Sequence, residues 1–168
     1  LDGKVVMFTQ DYRLSTHPME RVHGALHVSS ENEDNKTPEL TFIGFSPYDA
    51  GWTATPKTNK LFGADKLEAG ADLDFELANW ANLTLEAEHE TRKHHHREIP
   101  EDAELTLGGS LRLVPTDDLQ FSAGFKRASR TSDEFLIEDY ENAIGQLIEP
   151  AGLRRFDIAD RDQDIANG

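Results

Sequence analysis

The segment Lys66-Leu67-Glu68-Ala69-Gly70-Ala71-Asp72-Leu73-Asp74-Phe75-Glu76-Leu77 decides the fold. Leu67, Ala69, Ala71, Leu73, Phe75 and Leu77 fall on every second position. Glu68, Gly70, Asp72, Asp74 and Glu76 fall between them. A period of two puts the first set on one side of a β-strand and the second on the other. A helix would scatter both sets around its axis.

The same rhythm extends outward in both directions. After a break at Ala78 to Asn82, Leu83, Leu85 and Ala87 oppose Thr84, Glu86, Glu88 and Glu90. Beyond a polar stretch from Lys93 to Asp102, Leu105, Leu107, Gly109, Leu111 and Leu113 oppose Glu104, Thr106, Gly108, Ser110 and Arg112. Pro115-Thr116-Asp117-Asp118 reads as a tight turn. Leu119, Phe121, Ala123 and Phe125 then oppose Gln120, Ser122, Gly124 and Lys126. The N-terminal part is a weaker copy. Val6, Phe8, Tyr12 and Leu14 share one side, His17-Pro18 marks a turn, and Val22, Leu26 and Val28 oppose Arg21, His23 and His27.

The pattern therefore predicts an all-β fold, an antiparallel up-and-down meander of about six strands. They form hairpins at about 4–30, 66–92 and 103–127 within a single segment covering 1–168. Long loops are expected at about 31–64 and 128–168. In a meander alternate breaks lie at the same end of the sheet. One end should carry tight turns and the other long acidic loops, the habit of outer-membrane barrels. Roughly 10 residues per strand, tilted by about 40°, rise about 25 Å, the height of the apolar band. Phe75, Trp80 and Phe121 sit near the tight-turn end, where an aromatic girdle belongs. A closed membrane barrel needs at least about 8 strands, so this reading makes the chain an internal stretch of a larger one. Alternation alone leaves a second fold open: a soluble β-sandwich or lipocalin-like binding module has the same stripe turned inward.

Composition narrows the function classes. There are 32 acidic and 17 basic side chains, for a net charge of -15. That balance disfavours nucleic acid as a partner, since phosphate recognition needs a basic face. There is no cysteine, so neither a disulfide nor a c-type haem attachment site can form in this chain. Any haem belongs to a partner. No apolar run approaches the roughly 20 residues of a membrane helix. The residues from Leu1 onward have neither the basic stretch nor the long apolar run of a signal peptide, which leads us to expect a mature protein or an internal fragment.

Several constellations could carry chemistry. His94-His95-His96 could offer imidazoles to a transition metal, although three adjacent residues converge on one ion only in a special loop. Asp160, Asp162 and Asp164 have the spacing that opens a calcium loop, but Ile165 stands where that loop needs Gly. Both sets read first as solvated loop residues. The carboxylates Asp72, Asp74, Glu86, Glu88 and Glu104, with Glu68, Glu76 and Glu90, form a uniform ladder with Arg112 and Lys126 as counter-charges. Acid/base catalysis, as in a carbohydrate-active enzyme, needs two carboxylates in distinct environments. A uniform ladder reads instead as a hydrated wall with cross-strand pairing. Asp72, Asp74, Glu86, Glu88, Glu104 and Arg112 are the candidates for lumen lining or partner contact. No P-loop, nucleophile elbow or dinucleotide fingerprint is present, and no enzyme is expected.

Certain phrases resemble a known family. Asp34-Asn35-Lys36-Thr37-Pro38, followed by Phe42-Ile43-Gly44-Phe45 and Asp49-Ala50, looks like a loop of the MtrB/PioB family. Leu153-Arg154-Arg155-Phe156-Asp157-Ile158-Ala159-Asp160-Arg161-Asp162 is similar to another recurring stretch of it. Arg92, Arg97, Arg127 and Arg130 near the loop ends fit the same pattern. The resemblance implies a large outer-membrane barrel that sheathes a periplasmic or outer-membrane multihaem c-type cytochrome and lies among membrane lipid. Such a complex passes electrons across the outer membrane. The barrel itself binds no haem and does no chemistry. The Cys pair of some members is absent here.

Overall fold

A computed structural model describes residues 2–44, 54, 56–134 and 160–167. Seven long strands follow one another across a single antiparallel sheet: β1 (Val5–Met19), β2 (Val22–Asn35), β5 (Gly63–Ala78), β6 (Ala81–His95), β7 (Glu101–Thr116), β8 (Leu119–Ser132) and β9 (Arg161–Asn167). Each pairs only with its sequence neighbours in that series. The two-residue strands β3 (Thr41–Phe42) and β4 (Lys57–Thr58) pair with each other in the β2–β5 connection.

The meander and its end-to-end asymmetry match the expectation from the sequence. Two-residue turns at Glu20–Arg21, Asn79–Trp80 and Asp117–Asp118 close one end. The pairing register shifts beside all three, at Thr16/Met19, Glu76/Ala78 and Leu113/Thr116. Pro18 and Pro115 fall inside two of these shifts. A bulge is where a strand tolerates a residue without an N–H, because the ladder is already interrupted there. This corrects the reading of His17-Pro18 as a turn. β1 runs through Pro18 and turns at Glu20.

Two further expectations need correction. The strands hold 14 to 16 residues in β1, β2 and β5 to β8, longer than the apolar stripes suggested. β2 continues to Asn35, β5 begins at Gly63, and β6 and β7 leave only residues 96–100 between them. The expected loop over 128–168 also contains the end of β8 and all of β9. The cause is the same in each case. Alternation betrays a strand only where one side is apolar. At the loop end both sides are polar (Ser30 and Asn32 against Glu31 and Glu33, for example), yet the backbone ladder continues through them.

Register aligns the apolar stripes into one face. Leu26, Ala71, Ala87 and Leu107 are mutual partners across β2, β5, β6 and β7. Gly24, Leu73, Leu85, Gly109 and Phe125 form the next row. This face is uncovered. Leu26, Leu67, Leu73, Leu85, Leu105, Leu107, Phe121 and Phe125 are all exposed, and no described residue forms a second layer over them. The opposite, charged face is the more enclosed one, with Ala25, Asp102 and Thr106 buried. The apolar stripe of β5 runs from Leu67 to Leu77, a rise of about 25 Å at the usual tilt.

Candidate lumen wall

The charged face is built by side chains that alternate with the leucines, so the strand pleat itself collects them. Along one row Ala25, Asp72, Glu86, Gly108 and Lys126 are register partners. The Glu86 side chain lies over Gly108, where a Cβ would overlap it, and reaches Lys126 Nζ at 3.4 Å. Toward the loop end, Glu68, Glu90, Glu104 and Arg130 form another row. Lys66 Nζ bridges Glu68 at 2.8 Å and Glu90 at 2.7 Å, and Arg92 donates to Glu90 at 2.8 Å. Glu104 Oε2 accepts from Arg130 Nε and Arg161 at 2.9 Å each, joining β7, β8 and β9.

Most of the sequence-derived candidates are therefore cross-strand partners. Asp72 pairs with Arg13 at 3.8 Å, Asp74 accepts from Thr84 at 2.7 Å, and Arg112 donates to Gln120 at 3.2 Å. Glu88 alone of the six has no hydrogen bond or ion pair among the described residues. Thr106, which pattern alone makes an open position on this side, is instead buried, flanked by Glu88 and Ala128 in register.

The histidine run does not converge. His94 points to the charged side and holds Asp102 Oδ1 at 2.6 Å, with both side chains buried. His95 points to the other side and holds Asp65 at 3.0 Å. His96 begins the turn with a φ of 60°. Ile99 in that short loop is fully buried, and His94 N–H donates to Pro100 C=O at 2.7 Å. Asp160, Asp162 and Asp164 do not form a cation loop either, because Asp162 and Asp164 lie on β9. Asp160 accepts from the Ser132 N–H and hydroxyl at 2.8 Å, Asp162 from the Ser129 hydroxyl at 2.6 Å, and Asp164 stands 4.0 Å from Arg127. Aspartates spread along an extended strand and the residue before it, each held by a β8 side chain, do not wrap one ion.

A different cluster was missed by sequence reasoning. His27, Glu68 and Glu88 come from β2, β5 and β6, and each offers a ligand atom within 4.8 Å of the others. Glu68 and Glu88 were legible only as members of the ladder. His27 was read only as a polar-side residue. The signal that could have joined them is register: Gly70 is the partner of both His27 and Glu88.

The segments Phe45 to Ala50 and Leu153 to Ala159, which carry part of the family resemblance, lie outside the described residues. The resemblance itself is established by comparison with protein-family models. The model described as "Putative outer membrane beta-barrel porin, MtrB/PioB" matches residues 1–168. No curated protein was found to match the chain. A soluble sandwich or lipocalin-like module would need its leucines enclosed, and the uncovered face and the family match both oppose that alternative. The uncovered leucine face, the charged and more enclosed face opposite it, the tight-turn end and the match over the whole sequence agree: the chain belongs to the MtrB/PioB family of outer-membrane β-barrel porins.

Proposed function

We propose that this chain is a non-catalytic wall of an outer-membrane barrel that sheathes a multihaem c-type cytochrome and holds it in position for electron transfer across the outer membrane. The carrying observation is the inverted polarity of the sheet: Leu107 is 50% exposed while its neighbour Thr106, on the charged side, is 6% exposed. Such a sheet is stable with hydrocarbon outside and water or a hydrated partner inside. Hydrocarbon cannot host a chain of haems with their charged propionates. A barrel replaces it with a polar lumen in which a partner is fixed in register. Cross-strand ion pairs tie the strands of that wall together, the shielded Glu104–Arg130 pair more firmly than the exposed Glu86–Lys126 pair. The chain has no cysteine with which to attach haem, so the redox groups belong to the partner. Among the described residues, Asp72, Glu86, Glu90 and Glu104 on this face are held in cross-strand pairs, the pattern of a hydrated wall.

The lack of cysteine also makes the test simple. Single Ser110→Cys and Leu107→Cys variants of the full-length protein, with any cysteine outside these 168 residues replaced by Ser, carry one thiol each on opposite faces of β7. In outer membranes of cells that make the cytochrome, a short thiol-to-amine cross-linker should give a haem-staining adduct with Ser110→Cys and none with Leu107→Cys. A folded barrel that yields no haem-staining adduct from Ser110→Cys, or from neighbouring positions on that face, defeats the proposal.

A further inference from the structure

We infer that His27, Glu68 and Glu88 form a binding site for a divalent first-row transition-metal cation that clips three adjacent strands of the lumen wall. One imidazole and two carboxylates are a borderline donor set, suited to Zn2+ and its neighbours and poor for Mg2+ or Ca2+, which favour oxygen alone.

The geometry supports the inference at each ligand. His27 Nε2 stands 3.9 Å from Glu68 Oε1. Glu68 commits its other oxygen, Oε2, to Lys66 at 2.8 Å, which leaves Oε1 to face the imidazole. Glu88 brings a carboxylate with no other partner among the described residues. The ligand atoms lie within 4.8 Å of one another. Tetrahedral bonds of about 2.1 Å would place them about 3.4 Å apart, a difference that small side-chain rotations close.

Two further features prepare the imidazole. It lies directly over Gly70, where a Cβ would overlap its Cε1 and Nε2. Gly70 thus makes the room that lets the ring reach toward both carboxylates. On the far side of the ring, Nδ1 is buried without a hydrogen bond, and the Asp72 carboxylate is its nearest charged neighbour at 3.9 Å. Metal-bound histidines characteristically direct the second nitrogen at a carboxylate, which fixes the tautomer and the ring plane. The cations Arg13 and Lys66 are each engaged by a carboxylate: Arg13 by Asp72, Lys66 by Glu68 and Glu90. Glu88 is left to supply negative charge without compensation.

The site needs no cytochrome, so its test is separate from that of the sheath. Full-length protein is purified in detergent micelles after chelator treatment, and Zn2+ alone is titrated by equilibrium dialysis. Wild type should bind one equivalent that excess Mg2+ does not displace. Glu88→Gln and His27→Gln should each weaken it at least tenfold while keeping the heat-modifiable gel mobility of a folded barrel. Absence of a stoichiometric Zn2+ in wild type overturns the site. So does retention of wild-type affinity in either variant, because a metal held at the His94–His96 run instead would be indifferent to both.

Discussion

Thr106 and Leu107 are adjacent in the chain, and the threonine is buried while the leucine is half exposed. In a soluble protein the order would be reversed. The relationship predicts which substitutions the barrel tolerates. Leu107→Arg puts a charge into hydrocarbon near the middle of the apolar band and should cost about 2–4 kcal/mol of folding free energy in bilayers. Ser110→Arg, on the opposite face and exposed, should fold normally. Thr106→Arg should also fail, from crowding between Glu88 and Ala128 and not from polarity. Urea titrations in lipid vesicles check all three, and equal tolerance of Leu107→Arg and Ser110→Arg would reverse the assignment of faces.

Trp80 occupies the β5–β6 turn and is exposed, as is Phe121 near the β7–β8 turn. Aromatic rings at this end belong at the level of the lipid headgroups. In a variant of the full barrel with Trp52 and any tryptophan outside these 168 residues replaced by Phe, Trp80 is the indole that reports. Its fluorescence should be quenched strongly by lipids brominated near the headgroup and weakly by lipids brominated near the chain ends. The opposite order would place this turn at the wrong depth.

How much of this was readable from sequence follows from what each strand faces. From Leu67 to Leu77 apolar residues alternate with acids, Gly70 alone excepted, and β5 was legible in full apart from its polar start. From Gln163 to Asn167 both sides of β9 are mixed, so neither face shows a period and the strand passed for loop. Pro18 misled for a related reason: proline punctuates sequence in the same way whether it sits in a turn or in a bulge. The charged wall was legible as a ladder of residue types. Its internal pairing was not, because Glu104 meets Arg130 through a register shifted by the bulge at Leu113/Thr116 and meets Arg161 across a strand that was not read. The His27 cluster draws on three strands, with successive members 41 and 20 positions apart in sequence, and no local spacing rule reaches that far.

His94 and Asp102 anchor the short loop between β6 and β7 from beneath, with Asp102 also 4.0 Å from Arg130. Both members of the pair are nearly inaccessible, so removing one leaves the other buried without a full set of partners. Asp102→Ala should lower the stability of this end by about 1–3 kcal/mol. The local consequence is easier to read than the global one. Arg97 is exposed in the loop that Ile99 and this pair hold down. Trypsin should cleave after Arg97 faster in Asp102→Ala than in wild type, while the tight-turn end stays protected. Unchanged cleavage would show that Ile99 alone fixes the loop.

The two carboxylates Glu104 and Glu86 face the same lumen, yet their substitution should not cost the same. Glu104 is the less accessible, at 20% against 43%, and its Oε2 serves two guanidinium groups at 2.9 Å. Glu86 meets one flexible lysine at 3.4 Å. Charge-assisted hydrogen bonds shielded from water are worth more than exposed ion pairs, where screening and side-chain entropy cancel most of the attraction. Glu104→Gln should therefore lower stability in urea titrations by about 1–3 kcal/mol and loosen β9, whose hydrogen exchange should rise above that of β6. Glu86→Gln should cost less than about 1 kcal/mol. Raising the salt concentration sharpens the contrast: the Glu86 effect should fade, because its pair is open to ions, while the Glu104 effect should persist. Equal effects at both positions, or equal salt sensitivity, would mean that the Glu104 triad is as hydrated as the rest of the wall and does not bind β9 to β7.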